Sequence, residues 1–160
     1  MIAGGTGGAN TVTGRWFEGV TDLKTALMEN GYNLEDFIFC KQREFPKYFE
    51  ANTQLNMREM FGKQFWPDEA VIYNDVLYVI EKKMQTGGGS VDEKIQTGPY
   101  KLYIYQKCAE ALGLKDAKYI FLLADEYFNI PKFTKHQVPY LEGYNIPVYF
   151  DRLPLEQIFN

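Results

Sequence analysis

A chain of 160 residues with 46% hydrophobic and 24% charged residues has the size and make-up of one globular domain. Its net charge of −4 and pI near 5.1 exclude a protein that coats nucleic acid through bulk positive charge, since that affinity comes from Lys and Arg neutralising phosphates. A DNA enzyme with a local basic cleft stays open. No apolar run nears the ~20 residues of a membrane-spanning helix, and the glycine-rich start lacks the regions of a secretory signal, so the expectation is a cytoplasmic protein without membrane contact.

Residues 1–13 carry little that could form a core and read as a flexible glycine-rich arm, with 14–160 as a single domain. Thr13 can cap a first helix on which Trp16, Val20, Leu23 and Leu27 recur at helical spacing, with Glu18 on it and Asn30-Gly31 as its stop. The alternation in 36–44 predicts a strand, and a short helical or irregular piece follows around 53–62. Glu69–Tyr73 and Val76–Lys83 read as two strands of a hairpin joined by Asn74-Asp75. After Gly87-Gly88-Gly89, the run Ser90-Val91-Asp92-Glu93 has the form of a capping box. Pro99 opens a helix with Leu102, Tyr105, Ala109 and Leu112 on its apolar face and Gly113 at its end. Tyr119–Ala124 has the uninterrupted apolar run of a strand covered on both faces, and Pro147–Phe150 reads as one more strand. This order implies an α/β sandwich around a central mixed sheet flanked by helices. Cys40 and Cys108, without a framework, read as buried free thiols.

The chemistry concentrates in 67–83. A two-residue loop at Asn74-Asp75 sets Asp68 directly opposite Glu81, with Cβ atoms ~4.5–5.5 Å apart. Like charges so placed destabilise a sheet, and a shared divalent cation explains the pairing most simply. Magnesium takes one or two carboxylates and keeps its other positions for water and phosphate oxygens. Side chains alternate along a strand, so Lys83 shares the face of Glu81, Lys82 points away, and Gln85 continues the same face. Two carboxylates and an ammonium meet the needs of phosphodiester hydrolysis. The plain alternative is a solvated hairpin face. His136 is the sole histidine and Ser90 the sole serine, so a histidine-based zinc site and a serine nucleophile elbow are set aside. Tyr103 and Tyr105 can stack on bases, although aromatic residues at helical spacing more often belong to a core.

Pro67-Asp68 followed by Glu81-Lys82-Lys83 resembles the signature of the PD-(D/E)XK nuclease superfamily. The stretches GGANTVTGRWFE, GGSVDEKIQTGPYKL and YFDRLPLEQI are similar to bacterial type II restriction endonucleases of that superfamily, so the resemblance runs over most of the chain. It implies a restriction-endonuclease-like sandwich in which Asp68 and Glu81 bind Mg2+, with Mn2+ able to substitute, and Lys83 assists the attacking water. It also implies an acidic residue near the metal, for which Glu18 is the matching position and a surface helix charge the other reading. Gln85, Ser90 and Lys94 become candidate DNA contacts, although Lys94 suits a solvated helix equally well. At 160 residues the chain is short for a restriction enzyme, which places sequence-specific cleavage in more question than nuclease chemistry. The expected function is magnesium-dependent cleavage of double-stranded DNA by a homodimer at a short duplex site. A structure-selective nuclease of junction or repair type, and a non-catalytic DNA-binding subunit on the same fold, are the alternatives.

Overall fold

A computed structural model describes residues 16–18, 21–83 and 90–160. The elements run β1 (Trp16–Glu18), α1 (Leu23–Glu29), a 3-10 turn (Leu34–Asp36), β2 (Ile38–Phe39), α2 (Glu44–Thr53), α3 (Met57–Phe61), β3 (Glu69–Tyr73) and β4 (Val76–Lys83). They continue with α4 (Ser90–Gln96), α5 (Gly98–Ala111), β5 (Asp116–Leu123), α6 (Asp125–Phe128), a π-helical turn (Phe133–Gln137), α7 (Val138–Gly143), β6 (Val148–Phe150), β7 (Arg152–Pro154) and α8 (Leu155–Ile158). The main sheet has the order β2-β3-β4-β5-β6, antiparallel from β2 to β4 and parallel from β4 to β6. The chain is thus α/β with a five-stranded mixed sheet, as the order of sequence signals implies.

Strand parity divides the core into two layers. Ala70, Ile72, Leu77, Val79, Tyr119 and Phe121 pack against Phe45 and Phe49 of α2 and Tyr105 and Cys108 of α5. Val71, Val76, Tyr78, Ile80, Ile120 and Leu122 face the other way, onto Leu23 and Leu27 of α1 and onto Leu153, Leu155 and Phe159. Both faces of β4 over 76–81 and of β5 over 119–123 are therefore buried, which explains the unbroken apolar run there. Cys40 and Cys108 are buried free thiols whose pKa values burial pushes up to about 12, so neither is poised as a nucleophile.

Two sequence expectations need correction. The first helix begins at Leu23, not after Thr13, because Asp22 caps it by accepting from the Thr25 amide at 3.2 Å. Ahead of it Trp16–Glu18 is extended and pairs antiparallel with Arg152–Pro154, so Glu18 lies on a strand with its Cα opposite Arg152, not on a helix. A pairing partner more than a hundred residues away overrides the local helical spacing. The strand expected over 36–44 shrinks to Ile38–Phe39, since Gln42 takes φ +54° and Pro46 sits in the first turn of α2, where its missing N–H leaves no bond unmade. The arm at 1–13 and the glycine loop at 87–89 lie outside the described residues. Among the described residues no helix is long and apolar enough to cross a membrane.

Candidate functional site

The β3–β4 hairpin turns through Asn74 and Asp75 at φ +50° and +63°, the left-handed pair that a two-residue type I′ loop requires. Glu69 pairs with Ile80 and Tyr73 with Val76, which is the register the loop length implies. One step beyond the last paired residues, Asp68 leaves the ladder and its side chain takes the place of a strand acceptor. The Lys82 amide donates to Asp68 Oδ2 at 2.8 Å, and Gln42 Nε2 donates to Asp68 Oδ1 at 3.3 Å. Gln42 is itself fixed by its amide, which donates to the Pro67 carbonyl at 2.7 Å. The carboxylate is thus oriented before anything binds.

Glu81 meets Asp68 from the neighbouring strand. It is 8% exposed, and its pKa is raised by burial first, then by a hydrogen bond with Asp68 and the negative charge of Asp68, while Lys101 and Lys83 pull it back down. Glu81 Oε1 accepts from the Tyr119 hydroxyl at 3.2 Å and from Lys101 Nζ at 3.3 Å. Tyr119 is fully buried in β5, whose residues lie parallel to β4 with Phe121 beside Glu81. Lys101 comes from the first turns of α5. That helix lies close over the sheet because Gly98 has no side chain: a Cβ there would sit 2.9 Å from Leu141 Cδ2 and 3.0 Å from Phe121 Cε2.

The structure therefore brings Asp68, Glu81 and Lys83 onto one face of the hairpin, with Lys83 half-buried and close enough for its charge to act on Glu81. The side chain of Glu18 is not among those described. Gln85 lies outside the described residues, and α4 does begin at Ser90, though its side chain is not described. Lys94 is exposed on α4, and His136 is exposed on the π-helical turn. Of the two tyrosines considered for stacking, Tyr105 is buried core and Tyr103 is exposed.

Sequence spacing alone does not single out Lys101, Tyr119 and Gln42 as site residues. A signal existed for the first two: Lys101 shares a helical face with Tyr105 and Cys108, where a charge needs a reason, and Tyr119 is the one hydroxyl in an apolar run. Arg43, next in sequence to Gln42, lies over the exposed Trp66 with its guanidinium 4.9 Å from the ring centre. Lys82, on the opposite face, bonds Glu69 at 2.8 Å.

Two carboxyl groups in mutual contact, one of them buried, form a donor set that suits a hard divalent cation. Among the described residues no cluster of three or more His, Cys, Asp or Glu side chains exists that would hold a metal by protein ligands alone. An ion bound by the pair keeps most positions for water and substrate oxygens, as magnesium does. Comparison of the chain with protein-family models, with curated proteins and with solved structures gave no match.

Proposed function

We propose that this protein is a magnesium-dependent endonuclease of the PD-(D/E)XK type that hydrolyses phosphodiester bonds in double-stranded DNA, on a restriction-endonuclease-like version of its α/β sheet. The observation that carries the reading is the contact of Asp68 with Glu81 at the open end of the β3–β4 hairpin, with Lys83 on the same face. Acid against acid in a half-buried place is unfavourable by itself and becomes favourable around a cation.

Asp68 and Glu81 would hold Mg2+, which when bound polarises a phosphoryl oxygen and acidifies a water. Asp68 is held in place for this by the Lys82 amide and Gln42, so the hydrolytic step needs no rearrangement of that ligand. Lys83 orients the attacking water and offsets the charge that develops on the phosphoryl oxygens. The water oxygen bonds to phosphorus as the bond to the 3′ oxygen breaks, the proton ends on that oxygen, and the product keeps a 5′-phosphate. Arg43 and Trp66, which flank Gln42 and Asp68 in the chain, would supply a cation and an aromatic face of the kind that contact phosphate and bases. A homodimer would place one such site on each strand of a palindromic duplex.

Incubating the protein with mixed unbranched DNA, with and without Mg2+, tests the reading. Discrete Mg2+-dependent fragments, absent with Lys83→Ala, support it. Cleavage confined to branched DNA turns it toward a structure-selective nuclease, and no cleavage of any DNA overturns it.

A further inference from the structure

We infer that Lys101 is a built-in counter-cation that a divalent metal must displace from Glu81, so that Lys101 sets how readily the site loads before DNA arrives. This rests on the metal-dependent reading above. Glu81 Oε1 has two donors within the protein, the Tyr119 hydroxyl at 3.2 Å and the Lys101 ammonium at 3.3 Å. The ion pair is enclosed: the Lys101 side chain is 28% exposed and that of Glu81 10%. Tyr119 is locked in the core, whereas Lys101 has a flexible stem that opens to solvent.

The charge balance gives the consequence. Asp68 and Glu81 contribute two negative charges, and Lys83 and Lys101 two positive ones, so the four side chains are neutral together without metal. A divalent ion entering this group brings it to a net charge of two positive, which favours an anionic phosphodiester and disfavours the ion in its absence. Metal and DNA are therefore expected to bind with positive coupling, each strengthening the other, and Lys101 is the residue that keeps the DNA-free site from filling. Lys101 acts through Glu81 and is a positioning residue.

Calorimetric titration of Mg2+ into the DNA-free protein at pH 8 tests this with no dependence on activity. Lys101→Met and Lys101→Gln are expected to bind Mg2+ about fivefold to tenfold more tightly than the native chain, the size of one largely enclosed charge pair at the surface. Lys101→Arg keeps the charge and is expected to retain native affinity, which a packing role alone would not predict. Equal or weaker Mg2+ affinity in both neutral variants overturns the inference and leaves the metal site standing. No Mg2+ binding by any form, native chain included, overturns the metal-dependent reading and this inference with it. Thermal melts of each variant identify a loss of fold, and the two neutral side chains differ enough in polarity that one remains usable.

Discussion

Replacing Glu81 with Gln is expected to make the metal-free protein more stable at pH 8, by about 1–2 kcal/mol. The amide has the shape of the carboxylate and keeps an oxygen to accept from the Tyr119 hydroxyl, now 3.2 Å away. Two electrostatic changes oppose one another. Asp68 loses a like-charged neighbour, whereas Lys101, at 3.3 Å, and Lys83 lose an opposite charge, a contact at that distance being worth about 5 kcal/mol at an effective dielectric of ~20. They largely cancel. What remains is the removal of a charge from a position only 8% exposed, and an incompletely compensated buried polar group costs about 1–3 kcal/mol. For a protein of 160 residues a gain of this size raises Tm by about 2–8 °C.

The pH dependence has a fixed sign. The folded protein holds the Glu81 proton more tightly than the unfolded chain does, because burial and Asp68 raise its pKa. The native chain therefore loses stability as pH rises from the ordinary carboxylate range through that raised value. Gln does not titrate, so the advantage of Glu81→Gln is full above the raised pKa and fades as pH falls toward ~4.3. Thermal or urea melts of both proteins with EDTA from pH 4.5 to 8 measure this. Added Mg2+ is expected to stabilise the native chain by mass action and leave the variant nearly unmoved. A variant less stable than the native chain at pH 8, or a difference that stays constant with pH, would refute the reasoning.

Lys83→Ala is expected to slow Mg2+-dependent cleavage by about 10²–10³-fold, since it removes a preorganised positive group, while its unfolding free energy stays within about 0.5 kcal/mol of native; a comparable loss of fold would assign the lysine to structure. Asp75→Gly places the residue most at ease with φ +63° in the hairpin loop and is expected to add about 0.5 kcal/mol, read as a higher urea midpoint at unchanged slope. Gly98→Ala is expected to destabilise by about 1–3 kcal/mol, because the new methyl meets Leu141 and Phe121 at 2.9 and 3.0 Å. A melting temperature equal to the native one would show that α5 does not depend on this close approach.

What was legible in the sequence is what local chemistry specifies. The Asn74-Asp75 turn fixed the hairpin, its length fixed the register, and the register placed Asp68 against Glu81. Likewise Pro99 and Gly113 bracket α5, and the apolar run at 119–124 marks β5. The misreadings arise where distant segments decide. Trp16–Glu18 is a strand because Arg152–Pro154 lies beside it, and no spacing within 14–30 reports that. The short helices between Asp125 and Gly143 have weak individual signals and are held by Phe128, Phe133 and Leu141 reaching a core made elsewhere. Lys101 and Tyr119 enter the site for the same reason: α5 and β5 carry them to Glu81 across 20 and 38 residues of chain.

The same hairpin end carries a second set of charges, and the contrast between the two faces separates structure from chemistry. Asp68 and Glu69 are adjacent, so strand alternation sends them to opposite sides of the sheet. On the α1 side Glu69, 3% exposed, accepts from Lys82 Nζ at 2.8 Å and from the Leu23 amide at 3.4 Å, while Lys41 pairs with the capping residue Asp22. Each acid there has its own ammonium, which is how a fold accommodates charge near its core. On the α5 side the acids face each other, and burial first, then Asp68, makes Glu81 hold its proton more tightly than an ordinary carboxylate, with Lys101 and Lys83 pulling the other way. A sheet that needed only to be stable could have repeated the first arrangement on both faces. That it places acid against acid on one, with a buried tyrosine and a movable lysine on the same oxygen, is the physical ground for placing the proposed chemistry at Asp68 and Glu81 and the fastening of the hairpin at Glu69 and Lys82.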